Sequence, residues 1–174
     1  IFCVYFLMAK TLMVKRILLI ENKVDAIVLR QKTAPFDFAR FTKKEITDLV
    51  RTMRETMKAA SGIGLAANQI GLNLSLFVAK TDRKLHAIFN PLVTRVSKEE
   101  DEMEEGCLSI PNKFGIVPRP TAVWVMGQDA RGKKIMVAQT GLLARVFQHE
   151  IDHLNGILFT DRAREIYDVS REET

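Results

Sequence analysis

The sequence predicts an α+β domain in which mostly antiparallel β-sheets pack around a buried central helix, with an additional amphipathic helix nearer the N-terminus. Two segments carry apolar residues at helical spacing, at 42–59 and 142–154. Between them lie short apolar, partly β-branched runs separated by turn residues, a pattern typical of strands. Strands gathered between two helices favour this class over alternating strand–helix units with a parallel sheet.

The first of these helices is predicted over residues 42–59. Thr42 and Glu45 can form a capping box at its start, in which each side chain accepts a hydrogen bond from the backbone N–H of the other residue. The apolar residues recur at helical spacing and predict one face in the core: Ile46, Leu49, Val50, Met53 and Met57.

Five strands are predicted, at 74–80, 85–89, 92–96, 121–126 and 135–138. The segment 128–132 ends in Gly132 and is predicted to join the last two strands as a hairpin loop. Residues 104–109 are interpreted as a polar interruption between strands.

The second helix is predicted over residues 142–154 and carries the pentapeptide His-Glu-Ile-Asp-His. It should end at Asn155 and Gly156, a pair suited to a left-handed turn. Apolar residues cover most of its circumference, which predicts a helix buried among the strands: Leu142, Leu143, Val146, Phe147, Ile151 and Leu154. A buried helix would hold its polar side chains rigidly, as a catalytic site requires.

A single catalytic domain over residues 1–174 is the simplest organisation, because the sequence has no repeat, low-complexity stretch or linker. Residues 1–13 are interpreted as an N-terminal extension, whose apolar part is too short to span a bilayer. Residues 163–174 are interpreted as a short charged tail. Since the sequence begins with Ile1, the natural start is expected at Met8 or Met13.

Composition argues against several classes of function. The net charge is +5, but the basic residues are dispersed without a long run, so no direct nucleic-acid function is expected. Neither a signal peptide nor a membrane-spanning run is recognisable, so a cytoplasmic protein without a membrane function is expected. Only two cysteines are present, Cys3 and Cys107, which suits a reducing compartment.

The pentapeptide at 149–153 has the pattern of a metal site for hydrolysis. On a helix, His149 and His153 lie one turn apart on the same face, so both imidazoles can reach one ion. Glu150 stands beside the remaining coordination positions. Because a catalytic divalent site usually has three protein ligands and an exchangeable water, a third ligand is expected elsewhere.

Three residues could supply that ligand: Cys107, His86 and Glu173. Cys107 is favoured because Gly106 before it lets the backbone approach an ion closely. A thiolate and two neutral imidazoles leave a divalent ion with a net positive charge, enough to bring the pKa of a water to roughly 7. Glu173 would instead suit a zincin-type metallopeptidase that cleaves internal peptide bonds. A fourth protein ligand would suit a catalytically inactive, metal-stabilised binding module.

The segment Gly62–Gln69 combines two glycines and small residues with an amide at its end. It lacks the Gly-Lys-Ser/Thr of a phosphate loop and follows a predicted helix rather than a strand. We interpret it as a backbone edge close to a substrate, with Gln69 offering a neutral donor to a carbonyl oxygen.

Three segments together resemble the signature motifs of the peptide deformylase family, in the family's order and approximate spacing. They are GIGLAANQ at 62–69, EGCLS at 105–109 and QHEIDH at 148–153. The likeness extends over residues 17–162. Three matching motifs indicate a family far more specifically than the His-Glu-x-x-His pattern at 149–153 alone.

The resemblance implies a metal-dependent hydrolase that removes the N-formyl group from the initiator formyl-methionine of nascent polypeptides and releases formate. It implies that Cys107, His149 and His153 bind the metal and that Glu150 is the general acid/base. Gln69 and the backbone N–H of Leu108 are the implied oxyanion donors. The implied substrate-binding residues are Ile63, Gly64, Met103, Gly106, Leu142 and Val146.

The resemblance also implies one divalent metal ion, with Fe²⁺ expected in the cell and Zn²⁺, Ni²⁺ or Co²⁺ able to replace it in purified protein. The implied partners are N-formyl-Met peptides of nascent chains, with transient proximity to the ribosome, and a monomer is expected. Arg145 stands where some members carry an apolar residue, so either its stem packs while its head reaches solvent, or pocket specificity changes. Asp152 and Glu105 are expected to pair with or orient neighbouring groups, and His86 to be an ordinary strand residue.

Overall fold

The computed structural model describes residues 14–81 and 84–169. The expected start at Met8 or Met13, the extension 1–13 and the candidate ligand Glu173 lie outside these residues. The described part contains three α-helices: α1 (Lys23–Leu29), α2 (Lys43–Ala59) and α3 (Gly141–Leu154). The helices predicted over 42–59 and 142–154 are therefore confirmed.

Eight strands are found in the same part of the chain. They are β1 (Gly64–Ala66), β2 (Leu76–Lys80), β3 (Leu85–Val96), β4 (Glu100–Cys107), β5 (Ile110–Pro120), β6 (Ala122–Gln128), β7 (Lys134–Thr140) and β8 (Glu165–Asp168). Five form a sheet in the order β1-β2-β3-β6-β7, which we call the large sheet, and three form the small sheet in the order β4-β5-β8. Each pairing is antiparallel, so the predicted α+β class is confirmed.

Helix α2 begins at the predicted capping box. The Thr42 hydroxyl accepts from the Glu45 N–H at 3.2 Å, and the Glu45 carboxylate accepts from the Thr42 N–H at 2.7 Å. The predicted apolar face is buried against one face of the large sheet, where it meets Leu65, Leu76, Val78 and Phe89. Packing of this amphipathic face therefore fixes α2 on the sheet.

Helix α3 packs on the opposite face of the large sheet. Successive residues of β2 alternate between the two faces, so that Leu76 faces α2 whereas Phe77 contacts the ring of Phe147 on α3. The helix ends at Asn155, and Gly156 has a φ of +75°. A Cβ there would lie 2.3 Å from the carbonyl oxygen of Arg30, so the predicted left-handed glycine turn is confirmed.

Two strand predictions differ from the structure. Strand β3 is continuous where two strands, 85–89 and 92–96, were expected, and the pairing with β6 shifts register between Phe89 and Leu92. The Asn90-Pro91 pair at that irregularity imitates a strand end, because proline cannot donate a ladder hydrogen bond. The predicted hairpin loop 128–132 is confirmed between β6 and β7.

The interpretation of residues 104–109 as an interruption between strands is wrong. They form the end of β4 and the turn into β5, where Cys107 pairs with Ile110. Strand β4 escapes prediction because it is mostly acidic and exposed, so it lacks the apolar alternation that marks a half-buried strand. Helix α1 and strands β1, β5 and β8 were also not predicted. None of the helices in the described ranges is long and apolar enough to cross a membrane.

Candidate active site

The three favoured metal-ligand candidates come from two elements. His149 and His153 lie one turn apart on α3, and their Nε2 atoms are 3.2 Å apart. Cys107 is the last residue of β4, and its Sγ lies 3.1 Å from Nε2 of His153. The two ring nitrogens and the sulfur all lie within 4.8 Å of one another. The fold therefore brings together three donor atoms whose chemistry suits a divalent transition metal.

The alternative ligand His86 lies elsewhere. It sits on β3 with its ring edge-on to Phe147, at 5.4 Å between ring centroids. Burial lowers the pKa of its imidazole, with a smaller contribution from Lys84. The expectation of an ordinary strand histidine is confirmed.

Glu105 orients the first imidazole. Its Oε2 lies 2.9 Å from His149 Nδ1, so a tautomer with the proton on Nδ1 leaves Nε2 free on the side of Cys107. Arg119 donates to both oxygens of the same carboxylate, at 2.6 and 3.0 Å. Burial would raise the pKa of Glu105, but the hydrogen bonds from His149 and Arg119 outweigh it and lower the pKa to about 2. Glu105 is thus a buried anion, as the expected orienting role requires.

Asp152, inside the pentapeptide, is paired with two arginines. It accepts from Arg119 Nη1 at 2.7 Å and from Arg162 Nε and Nη2 at 2.6 Å each. The expectation that it satisfies a neighbouring arginine is confirmed. Arg119 therefore links Asp152 on α3 with Glu105 on β4, and its own pKa is raised by these anions against the effect of burial.

Arg145 does not reach solvent with its head, so that alternative is wrong. The residue is only 5% exposed, and its guanidinium donates to Glu105 Oε1 at 2.8 Å and to the carbonyl oxygen of Val117 at 2.7 Å. A third hydrogen bond reaches the carbonyl oxygen of Asp101 at 2.6 Å. The buried acceptors on β4 and β5 hold the guanidinium inside the protein.

The electrostatics of the cluster favour a cation. Burial acts to lower the pKa of His149, but hydrogen bonding with Cys107 and Glu105 outweighs it and raises the pKa to about 10. The pKa of His153 is lowered well below its usual value, first by burial and then by the charge of His149. One positive charge is therefore stabilised among these groups, and a metal ion would compete with a proton for that position.

Glu150 is a buried carboxylate at the same site. Burial raises its pKa to about 7 against the opposing charge of His149, and its Oε2 has no hydrogen-bond partner among the described residues. Gly64 on β1 makes room for it, because a Cβ there would lie 2.2 Å from Oε1 of Glu150 and 2.8 Å from Cγ1 of Val146. A carboxyl with a pKa near neutrality can both accept and donate a proton at working pH.

Gln69 lies in the turn that follows β1. Its Oε1 accepts from the Ala66 N–H at 2.8 Å, which orients the amide so that Nε2 faces the cluster. Nε2 donates to Ser109 Oγ at 3.2 Å and lies 3.7 Å from Cys107 Sγ. The side chain thus places a neutral donor beside the sulfur.

A cleft of about 380 Å³ opens beside these groups. Its walls include five of the predicted substrate-binding residues: Ile63, Gly64, Gly106, Leu142 and Val146. Leu108 also lines it, from the turn between β4 and β5.

Met103 is not brought to the cleft, although it was predicted as a pocket residue. It pairs with Val117 two residues farther from the turn than Glu105, about 7 Å along the strand, and is 38% exposed. Phe114 lines the cleft from β5 instead, and its ring lies 2.8 Å from the position of a Cβ on Gly106.

Sequence reasoning missed three residues of this site: Arg119, Ser109 and Phe114. Ser109 is fully buried, and its N–H donates to Cys107 Sγ at 3.4 Å while its hydroxyl accepts from Gln69. Its position in the EGCLS segment, two residues after Cys107, could have indicated that it belongs to the site. Arg119 and Phe114 lie on β5, which was not predicted, and nothing in their local sequence distinguishes them.

Comparison with known proteins identifies the same family along most of the chain. The family model of polypeptide deformylase matches residues 14–168. A peptide deformylase from Chloroflexus aurantiacus is 37% identical over 170 residues, which cover 88% of this chain and 89% of the relative. One from Carboxydothermus hydrogenoformans is 46% identical over 127 residues, covering 71% and 83%. The crystal structure of peptide deformylase from Thermotoga maritima is similar with a TM-score of 0.79 and 34% identity, covering 88% of this chain and 99% of that one.

The match extends beyond residues 17–162, over which the sequence was found to resemble the family. It includes β8, whose residues lie in the predicted tail. The three motifs, the fold and the relatives agree, and the zincin-type and binding-module alternatives are not favoured. The chain belongs to the polypeptide deformylase family and is an enzyme that removes the N-formyl group from nascent polypeptides.

Proposed function

We propose that Cys107, His149 and His153 hold one divalent metal ion, and that Glu150 is the general acid/base of the deformylation. The observation that carries the proposal is the convergence of three donor atoms within 4.8 Å, next to a buried carboxylate oxygen that has no hydrogen-bond partner in the part of the chain that the structure describes. Cys107, His149 and Glu150 line a cleft that a substrate could enter.

The residues fit a catalytic rather than a closed structural site. One sulfur and two imidazole nitrogens supply three ligands, which leaves a coordination position for an exchangeable group. When bound, the ion supplies Lewis acidity that polarises a carbonyl and lowers the pKa of water. This donor set accepts several divalent ions; we propose Fe²⁺ in the cell and Zn²⁺, Ni²⁺ or Co²⁺ in purified protein.

Glu150 performs the proton transfers in this proposal. With a pKa of about 7, its carboxylate takes a proton from the attacking water and returns it to the amine that leaves. Its position against Gly64 keeps the oxygens close to a substrate bound in the cleft. Formate and a free amino terminus are the products.

The oxyanion donors are Gln69 and the backbone N–H of Leu108. Gln69 is restrained by Ala66 and cannot rotate its amide without losing a hydrogen bond, so its N–H groups are oriented before substrate arrives. Such preorganised donors stabilise charge that develops on the formyl oxygen. The small formyl group is selected because a tight site excludes bulkier acyl groups.

The methionine side chain is proposed to bind between Ile63, Leu142 and Val146, which give the cleft an apolar wall. The rest of the peptide is proposed to lie extended between Gly64 and Gly106. These glycines belong to β1 and β4, each an edge strand of its sheet with a neighbouring strand on one side only. Main-chain pairing at such edges accepts many sequences, as a general processing enzyme needs.

The cellular setting is proposed from the same activity. N-formyl-Met peptides of nascent chains are the partners, so the enzyme acts in transient proximity to the ribosome in the cytoplasm. We propose that it acts as a monomer. No direct nucleic-acid or membrane function is proposed for the chain.

Formate release from a formyl-Met tripeptide by anaerobically metallated protein tests the roles. Glu150→Ala should retain one metal ion per chain and lose 10²–10⁴-fold in kcat, about the contribution of a general acid/base. Cys107→Ser should weaken both metal retention and turnover. The exposed Glu165→Ala serves as the matched control and should behave as wild type.

Full turnover by Glu150→Ala would rule out its acid/base role. Full metal retention by Cys107→Ser would rule out the sulfur as a ligand. Metal content is measured by elemental analysis after gel filtration, so that it does not depend on activity.

A further inference from the structure

We propose that Arg145 is a positioning residue for the metal centre. Its buried guanidinium fixes β4, which carries Cys107, against α3, which carries His149. The inference rests on the proposed function of these two residues as metal ligands. It concerns a different question, namely what holds the sulfur and the imidazoles in one place.

The contacts of Arg145 span the junction between the helix and the small sheet. From α3, its guanidinium donates to the carbonyl oxygen of Asp101 and to the carboxylate of Glu105, four residues apart on β4. It also donates to the carbonyl oxygen of Val117 on the adjacent strand β5. One side chain of α3 therefore holds two points of β4 and one point of β5, beside the link that Arg119 makes between Glu105 and Asp152. Cys107 follows Glu105 by two residues on the same strand.

The Glu105 carboxylate ties this junction to the ligand imidazole. One oxygen accepts from Arg145 at 2.8 Å, and the other lies 2.9 Å from His149 Nδ1. Arg145 precedes His149 by four residues, so both reach the same carboxylate from one face of α3. Without the guanidinium, only Arg119 and His149 would still hold the Glu105 carboxylate, so the ring that it orients would be fixed less firmly. Residues that orient a ligand in this way typically change metal affinity 10–100-fold.

The geometry requires arginine rather than any cation. Three acceptors on two strands are reached by two terminal nitrogens of one planar group. A lysine ammonium is a compact point charge and lacks this fork, so it would retain the charge but not the set of contacts.

The test uses the full chain in anaerobic solution with Co²⁺ as the probe. Arg145→Met retains most of the stem and removes the donors, whereas Arg145→Lys retains the charge. Arg164→Met is the matched control, because Arg164 also pairs with β4, through Glu102, but is exposed. Co²⁺ affinity is measured by competition with a chelator, and thiolate coordination by its charge-transfer absorption.

Arg145→Met should lower the Co²⁺ affinity about 10–100-fold and weaken the thiolate absorption band. The Co²⁺ affinity of Arg145→Lys should lie between those of Arg145→Met and wild type. The Co²⁺ affinity of Arg164→Met should match wild type within about twofold. A loss of stability alone would not change the absorption of the metal-loaded folded protein. The spectrum therefore separates positioning from a merely structural role.

Wild-type affinity and spectrum in both Arg145 variants would overturn the proposal, even if their unfolding midpoints fell. Should Arg145→Met fail to fold, Arg145→Lys alone decides by the same criterion. Failure of the wild-type chain to bind one Co²⁺ with a thiolate band would instead refute the proposed metal site, and this role would fall with it.

Discussion

The two sheets are attached to helix α3 by different forces. The large sheet meets α3 through apolar side chains, among them Phe77, Val123 and Val125, which are at most 1% exposed. The small sheet meets it through buried ions: Glu105 and Arg119 from its strands, and Arg145 and Asp152 from α3. Within the described ranges, the apolar cluster beside it has four buried members: Ile110 and Val117 from β5, and Leu158 and Phe159 from the segment that follows α3.

This difference matters because the proposed ligands are divided between the two attachments. The imidazoles lie on α3, which is fixed by the apolar core, whereas Cys107 lies on the sheet that is held by charges. Burial of apolar area tolerates small shifts, since it is non-directional. Paired charges instead specify direction, and their disruption is costly because it leaves a buried ion without a partner. We therefore expect metal affinity to depend on the charged junction more than on the core.

The largest effect is expected for Arg119→Met. This change leaves Glu105 and Asp152 buried with fewer partners, so the free energy of unfolding should fall by about 3–5 kcal/mol. Metal affinity of the folded protein should fall as well, because Glu105 orients His149. Urea unfolding of the metal-free protein and chelator competition measure the two quantities.

Phe77→Ala is the control for Arg119→Met on the large sheet, because the Phe77 ring packs against Phe147 of α3. Phe77 is fully buried, and its truncation should cost a comparable amount, about 3–5 kcal/mol. The metal affinity of the folded protein should remain that of wild type. Equal losses of metal affinity in both variants would mean that the two attachments do not differ as we argue.

Titration of Glu105 is expected to change the free energy of unfolding by a similar amount, of the order of 3 kcal/mol. Its pKa is about 2 in the folded protein against 4.5 for an unperturbed glutamate, so its contribution is fully present above pH 4.5. It is lost as the pH falls through about 2, because the unfolded chain binds the proton first. Urea unfolding of metal-free protein over this pH range measures how steeply the free energy of unfolding changes with pH.

Glu105→Gln should flatten that slope, since an amide does not titrate. Glu102→Gln, an exposed change on the same strand, should leave it unaltered. A slope that persists in Glu105→Gln would assign the acid sensitivity to another carboxyl.

The elements that could be predicted from sequence are those attached by apolar packing. Helix α2 combines a capping box with a periodic stripe, and β2, β6 and β7 are apolar runs bounded by turn residues. Local patterns suffice there because one side of each element faces a core. The pentapeptide of α3 and the EGCLS segment carry the site chemistry in short motifs, so its ligand candidates could also be named.

The sequence indicated that Glu105 and Asp152 pair with or orient neighbouring groups, but the arginines of the charged junction could not be predicted. Arg119 lies 14 residues from Glu105 and 33 from Asp152, and Arg145 lies 40 residues from Glu105. No local pattern marks such pairs, and a buried arginine has the same sequence signature as an exposed one. The alternative in which the head of Arg145 reaches solvent was wrong for this reason. Strand β4 was missed because its stability comes from these distant partners and not from alternation.

The smallest effect on the free energy of unfolding is expected for Lys113→Met. This variant removes an exposed ion pair of the small sheet and so tests whether a charge pair stabilises the sheet without being buried. Lys113 on β5 pairs with Asp168 on β8 at 2.7 Å, but the two side chains are 39% and 74% exposed. Water screens such a pair, so its loss should lower the free energy of unfolding by less than about 1 kcal/mol, and by less still at high salt. Urea unfolding at two salt concentrations measures this. A loss of unfolding free energy as large as that of Arg119→Met would show that exposed ion pairs stabilise the small sheet as strongly as buried ones. A small loss instead assigns the stabilisation to the buried charges that face α3.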